Sequence, residues 1–192
     1  MCDYTRKESE VSMIKKKISI NDCAGEILTA LPKGILLTTK ADDKSNSMVI
    51  GWGTLGTNWS KPVFAVYVRE GRFTREQLDK NPEFTINIPV GDYDKKIIGF
   101  CGSKSGYDVD KHKELGLTLV DGEKVSVPAI KEFPLTLECK VMYRQKQELD
   151  LLDDEINKTL YPQDVDSSFH GANKDAHVTY YGEIVDAYII EE

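Results

Sequence analysis

The sequence predicts a mostly β protein with short helices, its strands closed into a barrel, and three observations carry that prediction. Roughly six or seven short stretches, rich in branched and aromatic residues or alternating apolar with polar, are separated by turn residues. Between them fall roughly three or four short helical patterns, with no long strand-helix-strand repetition. The first two strands are joined by a tight polar turn, which makes an antiparallel hairpin and counts against a doubly wound parallel sheet. Closing the sheet removes the exposed edges that so many short strands would otherwise leave.

In chain order, residues 1–20 show little beyond the basic run Lys15-Lys16-Lys17 and are expected to form a solvated or loosely packed arm. Asn21 or Asp22 caps a short helix carrying Ile27, Leu28 and Leu31, ended by Pro32 and Gly34. Ile35 to Lys40 is a short apolar strand, Ala41 to Ser47 a turn, and the run Asn46 to Leu55 the second arm of a hairpin. Within that run Met48, Ile50 and Trp52 alternate with Val49, Gly51 and Gly53, so one face is large and the other partly bare. Glycine inside a strand marks a bulge or a close approach by a ligand or backbone. A flat ring beside Trp52 and a bulged core strand with a buried tryptophan both account for the pattern.

Pro62 precedes the strand Val63 to Val68, and Thr74 N-caps a helix through Asp79 that stops near Asn81-Pro82. Phe84 to Ile88 alternates as a strand closed by Pro89, and Tyr93 to Phe100 has helical spacing ending at Cys101-Gly102. Ser103 to Lys113 is a loop entering a short helix ended by Gly116, followed by Leu117 to Val120 and a turn at Asp121-Gly122. Pro134 introduces the strand Leu135 to Tyr143. Residues 145–175 turn acidic and polar, with a helix over Asp150 to Leu160, and read as an insertion or long connection. His177 to Ile190 closes the chain as a long strand or pair of strands.

At 192 residues the expected organisation is a single domain. No apolar run approaches the ~20 residues that span a bilayer, and the polar start lacks a signal-peptide core, so a cytoplasmic location is expected. Cys2, Cys23, Cys101 and Cys139 lie far apart, which suggests neither a zinc site nor a disulfide framework. A net charge of −7, from 25 basic and 32 acidic residues, argues against general affinity for nucleic acid or anionic membrane. Any anion must then be held by a local cluster of cations.

One such cluster is Arg69, Arg72 and Arg75 around the helix start at Thr74, where free backbone N–H groups and a hydroxyl suit a phosphate. Solvated surface arginines are the plainer account. A second candidate is Cys101-Gly102-Ser103-Lys104-Ser105-Gly106 with Lys111, which lacks the residue order of a nucleotide P-loop. Cys101, with no histidine near it in sequence, reads as a structural thiol. The histidines are scattered: His112 is expected to be exposed, His170 lies in the polar connection, and His177 enters the last apolar strand where it can face a site.

The ordered set of Asn46 to Leu55, Arg69 to Thr74, Phe84-Thr85-Ile86-Asn87-Ile88-Pro89 and Cys101-Gly102-x-x-Ser105-Gly106 through Asp110-Lys111 resembles the flavin reductase-like family of FMN-binding split barrels, of the flavoredoxin type. It continues into Pro128-x-Ile130, Pro134 to Cys139 and Gly182-Glu183-Ile184-Val185, so the likeness covers roughly Leu36 to Ile190. The resemblance implies FMN lying across the barrel at a homodimer interface. Asn46 and the backbone around Ile50, Gly51, Trp52 and Gly53 would contact the isoalloxazine, Trp52 would pack near the ring or the flavin tail, and Met48 would be a further flavin contact. Thr74 with Arg72 and Arg69 would hold the phosphate. Asn87, Ser105, Lys111 and His177 would add further flavin contacts. It implies an FMN-dependent oxidoreductase, drawing on NAD(P)H or a redox protein and serving a small acceptor or partner protein, with no side chain assigned as acid or base. A flavin carrier without turnover, and a cofactor-free barrel-based binding protein, are the rivals. The sequence ends at Glu192, where the resemblance implies that relatives often continue with an aromatic-containing tail that helps cover the flavin, so a more open site is expected.

Overall fold

A computed structural model describes residues 13–165 and 175–191. The expected arm up to residue 12, Cys2, residues 166–174 of the expected insertion and His170 lie outside the described residues. In chain order the elements are β1 (Ile14–Lys17), α1 (Ile20–Ala30), β2 (Ile35–Ala41), β3 (Lys44–Ile50), β4 (Gly53–Asn58), β5 (Lys61–Arg69), α2 (Phe73–Lys80), β6 (Glu83–Ile88), α3 (Lys95–Ser103), α4 (Lys111–Leu115), β7 (Leu119–Val120), β8 (Ala129–Ile130), β9 (Leu135–Lys146), α5 (Asp154–Leu160) and β10 (His177–Glu191). The protein is mostly β with short helices, as the sequence predicts.

One antiparallel sheet runs in the order β3-β2-β6-β9-β10-β5-β4, with β1 added along the end of β10. Its two edge strands, β3 and β4, are consecutive in the chain and separated only by Gly51 and Trp52. Seven strands laid flat would place their edges roughly 29 Å apart at ~4.8 Å per step. Three Cα steps reach about 11 Å. The sheet therefore rolls into a barrel whose last seam is crossed by the chain rather than laced by a β3-β4 ladder.

The interior is filled by Ile35, Leu37, Ile50, Phe64, Val66, Phe84, Ile86, Leu137 and Tyr180 among others. β2 is buried on both faces, because Leu36 packs outward with Ile97, Cys101, Ile130 and Phe133 beneath α3. This second layer clamps β3 from outside through Val49. The turn between β2 and β3 is shorter than expected: Asp42 and Asp43 alone form it at φ 49° and 58°. That is the backbone of a two-residue hairpin, and aspartate tolerates it better than most residues.

Two expectations for the N-terminal half are corrected. The run Asn46 to Leu55 is not one bulged strand, since it breaks at Gly51-Trp52 and its two halves join opposite edges of the sheet. Lys15-Lys16-Lys17 does not belong to a loose arm. Its residues pair with Tyr188 to Ile190 of β10, and Lys15 and Lys17 reach Glu123 and Asp186.

The loop before β8 is tied down by one carboxylate. Glu138 of β9, fully buried, accepts the backbone N–H groups of Glu123 (2.7 Å), Lys124 (2.6 Å) and Val125 (3.2 Å) and the Tyr188 hydroxyl (2.8 Å). Burial and the adjoining carboxylate push the Tyr188 phenol well above its usual range, so it stays a donor.

Candidate functional site

The seam carries a groove with two joined ends that share Met48, Val49 and Arg72. One end is cationic and polar, lined by Asn46, Arg72, Thr74, Ser105, Gly106 and Lys111. The other is lined by Ile50, Gly51, Trp52, Tyr67, Arg69 and His177.

The polar end is built where α2, β3 and the α3-α4 loop meet. Arg72, not Thr74, is the N-cap of α2, and Thr74 is its second residue. The correction follows from the backbone: Arg72 is extended at φ −85°, ψ 139°, and the helix begins at Phe73. Thr74 is buried, and its hydroxyl accepts from Asn46 Nδ2 at 3.1 Å. An accepting hydroxyl keeps its own proton to donate, and the first N–H groups of a helix have no intrahelical partner. The loop is held against α2 by the Phe73-Tyr107 ring contact and Tyr107 Oη to Glu76 (2.9 Å), and against β3 by Lys44 Nζ to Gly106 O (2.7 Å). Gly106 is required there, because a Cβ would lie 2.5 Å from the Phe73 ring and 2.6 Å from Asn46 Oδ1.

Lys111 is buried and donates to Ser47 O (2.9 Å) and Cys101 O (3.0 Å). An ammonium has three donors, so one is left for the groove. Burial lowers its pKa, with the nearby Cys101 acting against that and Arg72 adding to it. Ser105 Oγ accepts from Tyr107 N at 3.2 Å and likewise keeps a proton to give. Cys101 lines the same end, but burial pushes its thiol up to about 11, which suits a structural residue and not a thiolate nucleophile.

Arg72 is exposed at the groove, with its guanidinium partly screened from water, and no described residue hydrogen-bonds or pairs with it. Its pKa is lowered by burial and by the like charge of Arg69, only partly offset by Asp175. Arg69 meets Asp175 at 3.7 Å, while its Nε is buried without a hydrogen-bond partner. Unpaired buried donors are costly and rare, and two cations held together in an acidic chain suit an anionic ligand. Arg75 turns away to Asp79 at 3.0 Å.

At the other end, Trp52 stands on the two-residue corner and packs on His177, ring centroids 5.3 Å apart. Gly51 leaves its backbone bare, with no heavy atom closer than 3.8 Å to where a Cβ would be. Gly53 is different: a Cβ would lie 2.8 Å from Phe64, so its bare face accommodates a core ring and it is outside the groove lining. Ile50 offers the groove its backbone, for its side chain is in the barrel core.

Asn87 also lies outside the groove. It is fully buried, with its amide committed to Thr38 Oγ1 (2.9 Å), Thr85 Oγ1 (3.0 Å) and the Ile130 N–H (2.9 Å). It begins a polar chain through Thr38 and Ser47 (2.8 Å) to His112 Nε2 (2.8 Å), whose Nδ1 meets Ser45 at 3.0 Å. His112 is therefore not exposed as expected but 5% accessible, because β3 supplies partners for both ring nitrogens. Two contributors escaped the sequence reading. Tyr67 faces the groove from β5, and Tyr161, after α5, reaches His177.

Burial lowers the pKa of both His112 and His177 to about 4, aided for His177 by Arg69 and Arg72. Unfolded histidine titrates near 6.5. Between those values the unfolded chain binds more protons than the folded one, so stability is complete above about pH 6.5 and lost as pH falls toward 4. Urea melts from pH 7.5 to 5 should lose stability by a few kcal/mol, and His112→Gln should flatten the slope. A pH-independent midpoint above pH 5 would remove the buried neutral pair.

A family profile described as a flavin reductase like domain matches residues 29–192. Flavoredoxin of Desulfovibrio vulgaris (Miyazaki F) superposes with a TM-score of 0.60 at 27% identity, over 81% of this chain and 68% of that one. Flavoredoxin from Methanosarcina acetivorans gives 0.58 at 28% identity, over 83% and 68%. A curated protein of Archaeoglobus fulgidus, itself uncharacterised, is 31% identical over 111 residues, 58% of this chain and 62% of that relative. The matched part thus spans about three fifths of that relative's length. Among the described residues no helix is long and apolar enough to cross a membrane.

Proposed function

Because the chain belongs to the flavin reductase-like domain family, we propose that it is an FMN-dependent oxidoreductase whose flavin lies along the seam groove. The observation that carries this reading is the pair of cations Arg69, whose buried Nε has no hydrogen-bond partner, and Arg72, which no described residue pairs, beside a bare-backbone strand end flanked by Trp52 and His177. Arg72, Thr74, Ser105 and Lys111 hold the phosphate, and Asn46 orients Thr74 for that task. Met48, the backbone of Ile50 and Gly51, Trp52 and His177 bound the ring. Arg69 serves the ring end, since it lines that hollow and not the phosphate end. The flavin supplies the hydride and electron chemistry. The chain binds, orients and shields it; no side chain acts as an essential acid or base, and water meets proton exchange. NAD(P)H or a redox protein is the donor, and a small molecule or partner protein the acceptor.

The reading includes a single domain that pairs with a second copy of itself. Trp59, 54% exposed, sits at φ 49° on the tip of the β4-β5 hairpin, edge-on to Tyr143 and Tyr181 at 6.0 Å. The two-residue hairpin sets that φ, and the half-exposed ring with its two tyrosines forms an aromatic patch that a second copy can cover.

Purified protein should be yellow or take up added FMN stoichiometrically, bleach anaerobically with NADH or NADPH, and run as a dimer in light scattering. A colourless protein that ignores FMN removes the flavin reading. Bleaching by neither nucleotide leaves a carrier fed by another redox protein, and a monomer at every concentration removes the self-pairing.

A further inference from the structure

The residues around His177 determine where its proton sits. Gln147 Oε1 accepts the His177 backbone N–H at 3.3 Å, and the Gln147 backbone N–H donates to His177 O at 2.9 Å. These two contacts fix the His177 backbone against Gln147. Tyr161 is buried, and among the described residues the acceptor within reach of its O–H is His177 Nδ1, at 2.9 Å. A phenol donating to Nδ1 keeps that nitrogen bare, so the neutral imidazole carries its proton on Nε2.

Orientation is fixed by the same neighbours. The imidazole meets Tyr161 on one side, centroids 5.6 Å apart at 89°, and Trp52 on another at 5.3 Å. Nε2 has no partner among the described residues, and the imidazole lines the ring end of the groove. With Arg69 and Arg72 close by and the ring buried, the neutral imidazole is favoured over the imidazolium.

We propose that Tyr161 is a positioning residue that holds His177 as the Nε2–H tautomer, while Gln147 anchors the His177 backbone, so that the ring end presents one neutral, directed donor to an acceptor atom of the flavin. The proposal rests on the FMN reading for its ligand, though not for its proton placement. It also gives the segment after β9 a task at the site, for Gln147 and Tyr161 both come from it.

The test is long-range 1H–15N correlation on protein carrying 15N-histidine, with FMN removed and then restored. The chain has three histidines, and His177→Gln identifies the signal. Flavin-free wild type should show His177 neutral at pH 7 with its proton on Nε2, and FMN should shift Nε2–H while leaving Nδ1 bare. Tyr161→Phe should mix the tautomers and weaken FMN binding about three- to tenfold, the worth of one hydrogen bond. His177→Gln, which keeps an N–H at the outer position, should bind FMN more tightly than His177→Ala. An Nδ1–H tautomer in the wild type, or an unchanged tautomer in Tyr161→Phe, overturns the proposal. The expected tautomers without FMN uptake would keep the positioning role and remove the flavin reading. The wild-type measurement stands even where a variant fails to fold.

Discussion

Replacing Arg72 and Thr74 together by alanine is expected to weaken FMN binding by at least about a hundredfold, because each hydrogen bond to a charged group contributes about 1.5–3 kcal/mol. Arg72 has no partner among the described residues to reclaim it when the phosphate leaves, so its loss costs the protein little and the ligand much. Thr74→Ala also strands Asn46 Nδ2, which donates to that hydroxyl. Thr74→Ser is the matching control and should keep most of the affinity. Fluorescence titration with FMN measures all of these, and riboflavin, which keeps the ring and ribityl chain but lacks the phosphate, is the comparison ligand. If the double variant binds FMN like wild type, the phosphate lies elsewhere; equal loss for riboflavin and FMN would point to a collapsed groove.

Glu138→Ala should be the most destabilising single change away from the groove. It leaves three backbone N–H groups, that of Val125 buried and those of Glu123 and Lys124 partly so, and the buried Tyr188 hydroxyl without their acceptor. Removing one side of a buried charged network costs about 3–5 kcal/mol. For a chain of this size that lowers Tm by roughly 6–20 °C. Glu138→Gln keeps one accepting oxygen and should lose about half as much. The two together separate an acceptor effect from a packing effect, and an alanine variant within about 1 kcal/mol of wild type would show that the loop finds other partners.

Much of this architecture was legible locally. β2, β5 and β6 announce themselves by branched and aromatic runs bounded by Pro62, Pro82 and Pro89, and the cation cluster is visible because Arg69, Arg72 and Thr74 crowd one helix start. What escaped depends on partners distant in sequence. β1 is a strand because β10 offers it a ladder and Glu123 and Asp186 meet its lysines, not because Lys15-Lys16-Lys17 favours extension. His112 reads as a surface residue beside Lys111 until Ser45 and Ser47 are brought across to both of its nitrogens. Asn87 stands in a strand that shares the site's neighbourhood in sequence order, yet its amide is spent inside the protein. Tyr161 gives no local sign at all, since its significance is one hydrogen bond to a residue 16 positions on.

The unlaced seam has a mechanical consequence. Everywhere else around the barrel, neighbouring strands are stitched by ladder hydrogen bonds, whereas at Gly51-Trp52 a single covalent thread crosses the gap. The groove straddles that gap, with β3 on one bank and Arg69 of β5 and His177 of β10 on the other. A ligand gripped from both banks acts as a keystone: opening the arch requires expelling it. Occupancy at a hundred times Kd should then raise unfolding free energy by about 2.7 kcal/mol, and hydrogen exchange should slow first in the strands that face each other across the gap.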